Sequence, residues 1–274
     1  MRTADRGFSG AMMAARSAAA MALGVGRATG RPDMAAAYAF QALTRRGSAV
    51  SLVWKGLRLA ARPADWHAIR EVLIEAEYAA LAPYLAHRPE PVVLDIGANI
   101  GTFGLYALSV APGAKVQSLE PSQATFALLD ATCRSNPRHR WQAHRAAAWS
   151  EDGKVSFANE AASTAGKVSA DGDEQVPALS LASILSLCGG RADVAKIDVE
   201  GAEEALLCDR AAELAMIDTV CVELHPGRCD VARVTAALRR SHGPLYAISG
   251  RRSSKPLLLA TRSPRRPDLP LYES

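Results

Sequence analysis

Three stretches of this 274-residue chain combine residue types and spacings that can do chemistry. The first, VVLDIGANIGTFG at 92–104, runs three apolar residues into Asp95 and then sets glycines at Gly97, Gly101 and Gly104. In an open parallel sheet, ligands sit beyond the carboxyl ends of the strands, where loops lead into helices. Glycine there lets a ligand approach bare backbone, and the helix that follows offers unpaired N–H groups. The second stretch, KVQSLEPS, ends a strand-like run in Glu120, twenty-five residues after Asp95. The third pairs AKIDVEGAEEALL at 195–207 with CVELHP at 221–226, so that Lys196, Asp198, Glu200, Glu223 and His225 fall at two further strand ends.

Glycine spacing decides between two cofactor classes. A nicotinamide dinucleotide site needs GxGxxG to lay its diphosphate on the helix N-terminus. Here Ala98, Asn99 and Ile100 separate Gly97 from Gly101, and an acid stands two residues before the first glycine. That carboxylate repels a diphosphate but suits a cofactor with ammonium and sulfonium charges. S-adenosylmethionine is that cofactor, with Asp95, Gly97, Asn99 and Gly101 expected at its methionine end. Glu120 can accept both ribose hydroxyls. Taken alone, Glu120 could instead be a charge at the start of the helix PSQATFALL.

With EAEY upstream, the segments DIGANIG, LEPS, KIDVEGAE and ELHP resemble the FkbM-type methyltransferase family, over about Ile69 to Ala260. The resemblance implies a class I, Rossmann-like α/β methyltransferase that acts on hydroxyl oxygens of sugars, glycans or secondary metabolites and releases S-adenosylhomocysteine. N-methylation and a catalytically degenerate cofactor-binding module are the alternatives. Methyl transfer needs an oxygen aligned with the methyl carbon and a group to take its proton. Asp198 matches the fourth-strand acid of this fold and is expected to face the methyl. Glu200 precedes Gly201 and a helical run, so it either caps that helix or binds acceptor. Glu223 and His225 lie two apart and share a face. His225 is the candidate general base because imidazole titrates near neutrality; a hydrogen-bonded structural histidine is the other reading. Asp198, Glu200, Glu223 and His225 could also gather around a divalent ion, although no required metal is expected. Lys196 is unusual in a buried strand and should pair with one of the acids. Two departures from the family pattern stand out. Ala182 occupies the acidic place of an LDxL-like segment, and HRAAAWSEDG lacks an obvious partner for the adenine amine, leaving Ser150, Glu151 or the backbone near Ala147.

The elements that must position these groups alternate. Strands are expected at 92–96, 115–120, about 141–147, 193–198 and 219–224, with helices beginning near Thr102, Ser122, Ala202 and Asp230. Such alternation builds a parallel sheet with right-handed crossovers, and the family fold implies a mostly parallel seven-stranded sheet. PLYAIS and PLLLAT around GRRSSK read as an antiparallel hairpin at its C-terminal edge. Upstream, residues 65–85 show helical spacing behind Asp65 as N-cap, ending near Pro83. The expected organisation is an N-terminal extension at 1–64, partly disordered or a helical cap, a methyltransferase domain at 65–262 and an irregular tail at 263–274.

Composition excludes several function classes. Hydrophobic residues make up 49% of the chain, enough for one large α/β domain. Lys plus Arg exceed Asp plus Glu by 32 to 28, and TRRG, GRRSSK and SPRRP lack interleaved aromatics, so nucleic acid is not expected as a partner. A small-molecule or glycan acceptor is. Five cysteines without CxxC spacing suggest reduced thiols in a cytoplasmic protein. The apolar run at 10–26 is interrupted by Arg16 and is too short to span a membrane; it reads as a weakly helical or poorly ordered extension, with targeting or surface attachment as the alternative. No feature reports oligomeric state.

Overall fold

The computed structural model describes residues 18–27, 30, 32–44, 49–159, 166–168, 172, 174–249 and 254–273. Residues 18–27 and Pro32–Thr44 (α1) are helical. Residues 1–17 of the expected extension at 1–64, with 28–29, 31 and 45–48, and residues 250–253 of GRRSSK lie outside the described residues. Val50–Trp54 (β1) and Leu57–Ala61 (β2) form an antiparallel hairpin. Its two-residue turn has positive φ at both Lys55 (47°) and Gly56 (82°), the handedness that matches strand twist.

Strands and helices then alternate as Val92–Ile96 (β3), Thr102–Val110 (α2), Lys115–Leu119 (β4), Gln123–Arg134 (α3) and Arg140–His144 (β5). The chain next leaves the sheet for Ala147–Ala148 (β6), Gly153–Asn159 (β7), Gly166–Val168 (β8) and Glu174–Leu179 (β9). These four form a small sheet of their own in the order β6-β9-β7-β8. The expected strand at 141–147 is therefore two strands, because Ala147 and Ala148 turn away to pair with β9.

Leu181–Ser186 (α4) leads back to Ala192–Ile197 (β10), followed by Glu203–Leu207 (α5), Ile217–Glu223 (β11), Val231–His242 (α6), Leu245–Ala247 (β12) and Leu257–Thr261 (β13). The main sheet has the order β12-β13-β11-β10-β3-β4-β5, and β13 alone runs antiparallel to its neighbours. It is the Rossmann-like, mostly parallel seven-stranded sheet with a C-terminal antiparallel hairpin that was expected. Strand order reverses between β3 and β10, which opens a crevice at their carboxyl ends.

Both faces of the central strands are covered, which explains their near-continuous apolar sequences. Val93 joins the core on one face with Phe103 and Leu105; Leu94 and Ile96 join the other with Ile197 and Leu206. Tyr38, Leu52, Trp54 and Leu59 belong to the first of these cores, so it crosses the boundary expected at residue 64.

The single helix expected at 65–85 is not formed. Trp66–Ile69 is α-helical, Arg70–Ile74 widens to a π turn, and Ala76 takes a left-handed φ of 55° before Ala79–Leu81 and Ala82–Leu85 resume. Pro83 lies inside the last piece rather than ending it. Asp65 does not cap the helix: its buried carboxylate accepts from the Arg62 amide at 2.6 Å and from the Arg62 guanidinium at 2.9 Å. Among the described residues no helix is long and apolar enough to cross a membrane.

Candidate active site at the strand-order reversal

A cavity of about 460 Å³ opens at the carboxyl ends of β3 and β10, within the range of small-molecule sites. Gly97, Asn99 and Thr102 form its floor, Glu120 and Pro121 one side, and Lys196, Asp198, Glu200 and Glu223 the other. Its roof comes from the broken upstream segment, through Glu71, Glu77 and Tyr78. The π turn at Arg70–Ile74 and the left-handed Ala76 lie in this same segment, and π turns recur at functional sites.

Of the residues expected to bind cofactor, Gly97, Asn99 and Glu120 stand in the cavity wall. Glu120 is buried, its two carboxylate oxygens accepting from the amides of Asn99 (3.0 Å) and Ser122 (2.9 Å). Burial pushes this carboxyl up to about 7 in spite of those two amides. Asp95 and Gly101 lie behind the wall. Asp95 is fully buried; its Oδ2 accepts from Ser118 Oγ at 3.2 Å and its Oδ1 lies 3.7 Å from Lys196 Nζ. Burial raises its pKa, partly offset by Lys196, Ser118 and the Gly104 amide. Asp95, Ser118 and Lys196 are register partners across three adjacent strands, and this is how the sheet brings them together. At Gly101 (φ 92°) and Gly104 a β-carbon would meet the Trp141 ring at 2.9 and 2.4 Å, so these glycines make room for a tryptophan of β5 rather than for a ligand.

At the other end, Lys196 is buried and donates to the Gly97 carbonyl at 2.6 Å, with Asp198 Oδ2 3.7 Å away. Burial opposes its charge, but Asp198, Asp95 and Glu223 together raise its pKa. His225 is not in the cavity wall. It lies buried beneath the acids, with Nδ1 2.6 Å from Glu203 Oε1 and Nε2 facing Glu200 (3.2 Å), Glu223 (3.7 Å) and Asp198 (3.8 Å). One ring nitrogen is thus engaged by Glu203 and the other meets three carboxylates, an arrangement that fits the structural reading of His225 as well as a catalytic one. Burial opposes charge on the ring, yet Glu200 and Glu203 push its pKa up to about 9. Glu200, in a left-handed conformation at φ 50°, is clamped by Arg228 (2.9 Å) and Lys255 (3.1 Å). Burial works against its ionisation, but His225 and Lys255 hold the carboxyl down at about 2. Burial and the adjacent Asp198 push Glu223 up to about 7.

Several residues of the site escaped sequence reasoning. Glu203, buried behind the wall, lies within AKIDVEGAEEALL, but its contact with His225 spans twenty-two residues and follows no local period. Ala146, Ala147 and Ala148 line the cavity beside Phe157 and Val168 of the small sheet, while Ser150 and Glu151 do not. Ala182 is exposed on the first turn of α4, outside the wall, and Asp152 supplies the local carboxylate by accepting from Ser180 N (2.7 Å) and Ser183 Oγ (2.6 Å).

Comparison with known proteins gives the family. The 31-O-demethyl-FK506 methyltransferase FkbM of Streptomyces tacrolimicus is 46% identical over 61 residues, 21% of this chain and 22% of that protein. The chain thus matches under a quarter of that relative's length. Human methyltransferase-like protein 13 in complex with SAH is similar at a TM-score of 0.46 and 15% identity, over 70% of this chain and 84% of the other. The N-terminal domain of EvdMO1, in a structure determined in the presence of SAH and D-fucose, is similar at 0.44 and 14%, over 79% and 91%. The Methyltransferase FkbM domain matches residues 95–243, which run from Asp95 at the first strand end to Gly243 after α6 and make up more than half of the chain; the protein belongs to the FkbM methyltransferase family.

Proposed function

We propose that this chain methylates a hydroxyl oxygen on a sugar, glycan or secondary metabolite, using S-adenosylmethionine. The observation that carries the reading is a single cavity with a ribose-type carboxylate, Glu120, at one end and an acid at the fourth-strand position, Asp198, at the other. When bound, the cofactor supplies a methyl group on a positively charged sulfur. Glu120 already gives one lone pair per oxygen to an amide and keeps others for two hydroxyls. Gly97, Asn99 and the first turn of α2 offer backbone to the methionine end. Ala147, Phe157 and Val168 form an apolar wall for the adenine ring, which answers the absence of a polar partner in HRAAAWSEDG. Asp198 and Glu223 face the cavity and are the proton acceptors within reach of an acceptor hydroxyl, with His225 and Glu200 positioning them. Oxygen as the methylated atom draws support from the name of the Streptomyces relative.

Calorimetric titration with S-adenosylmethionine and S-adenosylhomocysteine tests the reading. Micromolar binding, weakened at least about tenfold in Glu120→Ala, is expected. Folded wild-type protein that binds neither compound would overturn it.

A further inference from the structure

We infer that Asp198, Glu200 and His225 form a binding site for one divalent cation, and that this ion holds the acceptor's hydroxyls beside the methyl group. The acceptor role rests on the function proposed above; the cation site itself does not. One donor atom from each of the three residues falls within 4.8 Å of the other two. His225 Nε2 lies 3.2 Å from Glu200 Oε2 and 3.8 Å from Asp198 Oδ1. Adjacent ligands of an octahedral ion with bonds of about 2.1 Å stand about 3 Å apart, so a small inward adjustment of Asp198 closes the set.

The independent mark of a missing ligand is the histidine. His225 is 97% buried (3% exposed) and aims Nε2 into the cluster, where it has the Glu200 carboxylate 3.2 Å away but no hydrogen bond of good geometry; Asp198 Oδ1 is likewise buried without one. Buried polar atoms are almost always satisfied, and two that converge on one point need a common partner. Glu203 completes the arrangement from behind. Fully buried, it accepts from Nδ1 at 2.6 Å, so that when an incoming ion displaces the Nε2 proton the remaining lone pair faces the acids. A carboxylate behind a ligating histidine is how proteins orient imidazole toward a metal.

Asp198, Glu200, Glu203 and Glu223 surround the ring, and a divalent ion bound there replaces the positive charge of the imidazolium whose Nε2 proton it displaces, beside Lys196, Arg228 and Lys255. Arg228 and Lys255 approach different oxygens of Glu200, and each oxygen retains a lone pair for a metal. Two carboxylates with one imidazole suit manganese best among the abundant divalent ions, since carboxylate favours magnesium or manganese and imidazole favours transition metals.

The test is titration of chelator-treated full-length protein with manganese chloride, following the free-ion signal by electron paramagnetic resonance, with and without S-adenosylhomocysteine. One Mn²⁺ per chain is expected, with affinity falling at least about tenfold in Asp198→Asn and in His225→Gln. Glu203→Gln should weaken binding by about ten- to a hundredfold without removing a ligand. Asp198 is half-buried, so its variant separates loss of a ligand from loss of fold, and thermal melts of each variant complete that control. Wild-type protein that binds S-adenosylhomocysteine but takes up no stoichiometric Mn²⁺ overturns the proposal, as does uptake unchanged in both ligand variants. Mn²⁺ uptake by protein that binds no S-adenosylhomocysteine leaves the cation site standing and defeats the methyl-transfer reading instead.

Discussion

The carbonyl oxygen of Asp198 lies 1.7 Å from the place a β-carbon on Gly97 would occupy. The loops after β3 and β10 are thus in backbone contact, and the contact is reinforced by Asp198 N–H donating to Ile96 O at 3.0 Å. With φ at 75°, Gly97 also needs a conformation that side chains resist. Gly97→Ala should cost at least about 2 kcal/mol of stability and weaken S-adenosylhomocysteine binding more than about tenfold. Denaturant titration and calorimetry check both, and an alanine variant with wild-type values would refute this account of the loop.

Glu120→Gln keeps the shape but replaces one acceptor with a donor. Its NH₂ must then face the amide of Asn99 or of Ser122, at a cost of about 1–3 kcal/mol. Cofactor affinity should drop about tenfold. Because burial lifts the wild-type carboxyl to about 7, and the ionised form is the better acceptor for hydroxyls, affinity should rise with pH through that value and level off above it. The glutamine variant should show no such rise in a calorimetric pH series.

Ser118 joins two buried groups. It accepts from Trp141 Nε1 at 2.9 Å and donates to Asp95 Oδ2 at 3.2 Å. Ser118→Ala strands both and should cost about 2–4 kcal/mol. Urea unfolding measures this; a loss under about 0.5 kcal/mol would mean that the relay contributes nothing to the native state.

His242 sets an acid limit on stability. Burial holds its pKa down at about 4, and its Nε2 lies 3.0 Å from the Ile217 carbonyl. The unfolded chain, with an ordinary histidine near 6.5, takes up the proton first. The stability of the neutral ring is therefore fully present above about pH 6.5 and is lost as pH falls toward 4, by up to about 3 kcal/mol. His242→Asn should flatten the urea stability profile across that window relative to wild type.

Much of the fold was legible because it is local. Asp95, Glu120, Asp198 and Glu223 each close or follow an apolar run, and a strand end can be read from such a pattern. Asp230 likewise announced α6, whose Arg233 amide it accepts at 3.0 Å. What was misread depends on distant packing. Val72, Leu73 and Tyr78 are buried in the core and pull the segment around Ala76 out of the helix its sequence favours. Gly101 and Gly104 look like ligand glycines until Trp141, forty residues on, is placed against them. The pairing of Glu203 with His225 and the arrival of Phe157 at the cavity are likewise products of topology alone.

The break at Ala76 lies in a part of the cavity wall that the matched domain does not include. The segment that roofs the cavity with Glu71, Glu77 and Tyr78 lies wholly before residue 95, upstream of the matched FkbM domain, whereas Glu120, Phe157 and Asp198 lie within it. A recombinant that exchanges the roof for that of a relative leaves every proposed cofactor contact untouched. On the proposed function, the acceptor side and the cofactor side of the cavity thus sit on separate stretches of chain that can be exchanged independently.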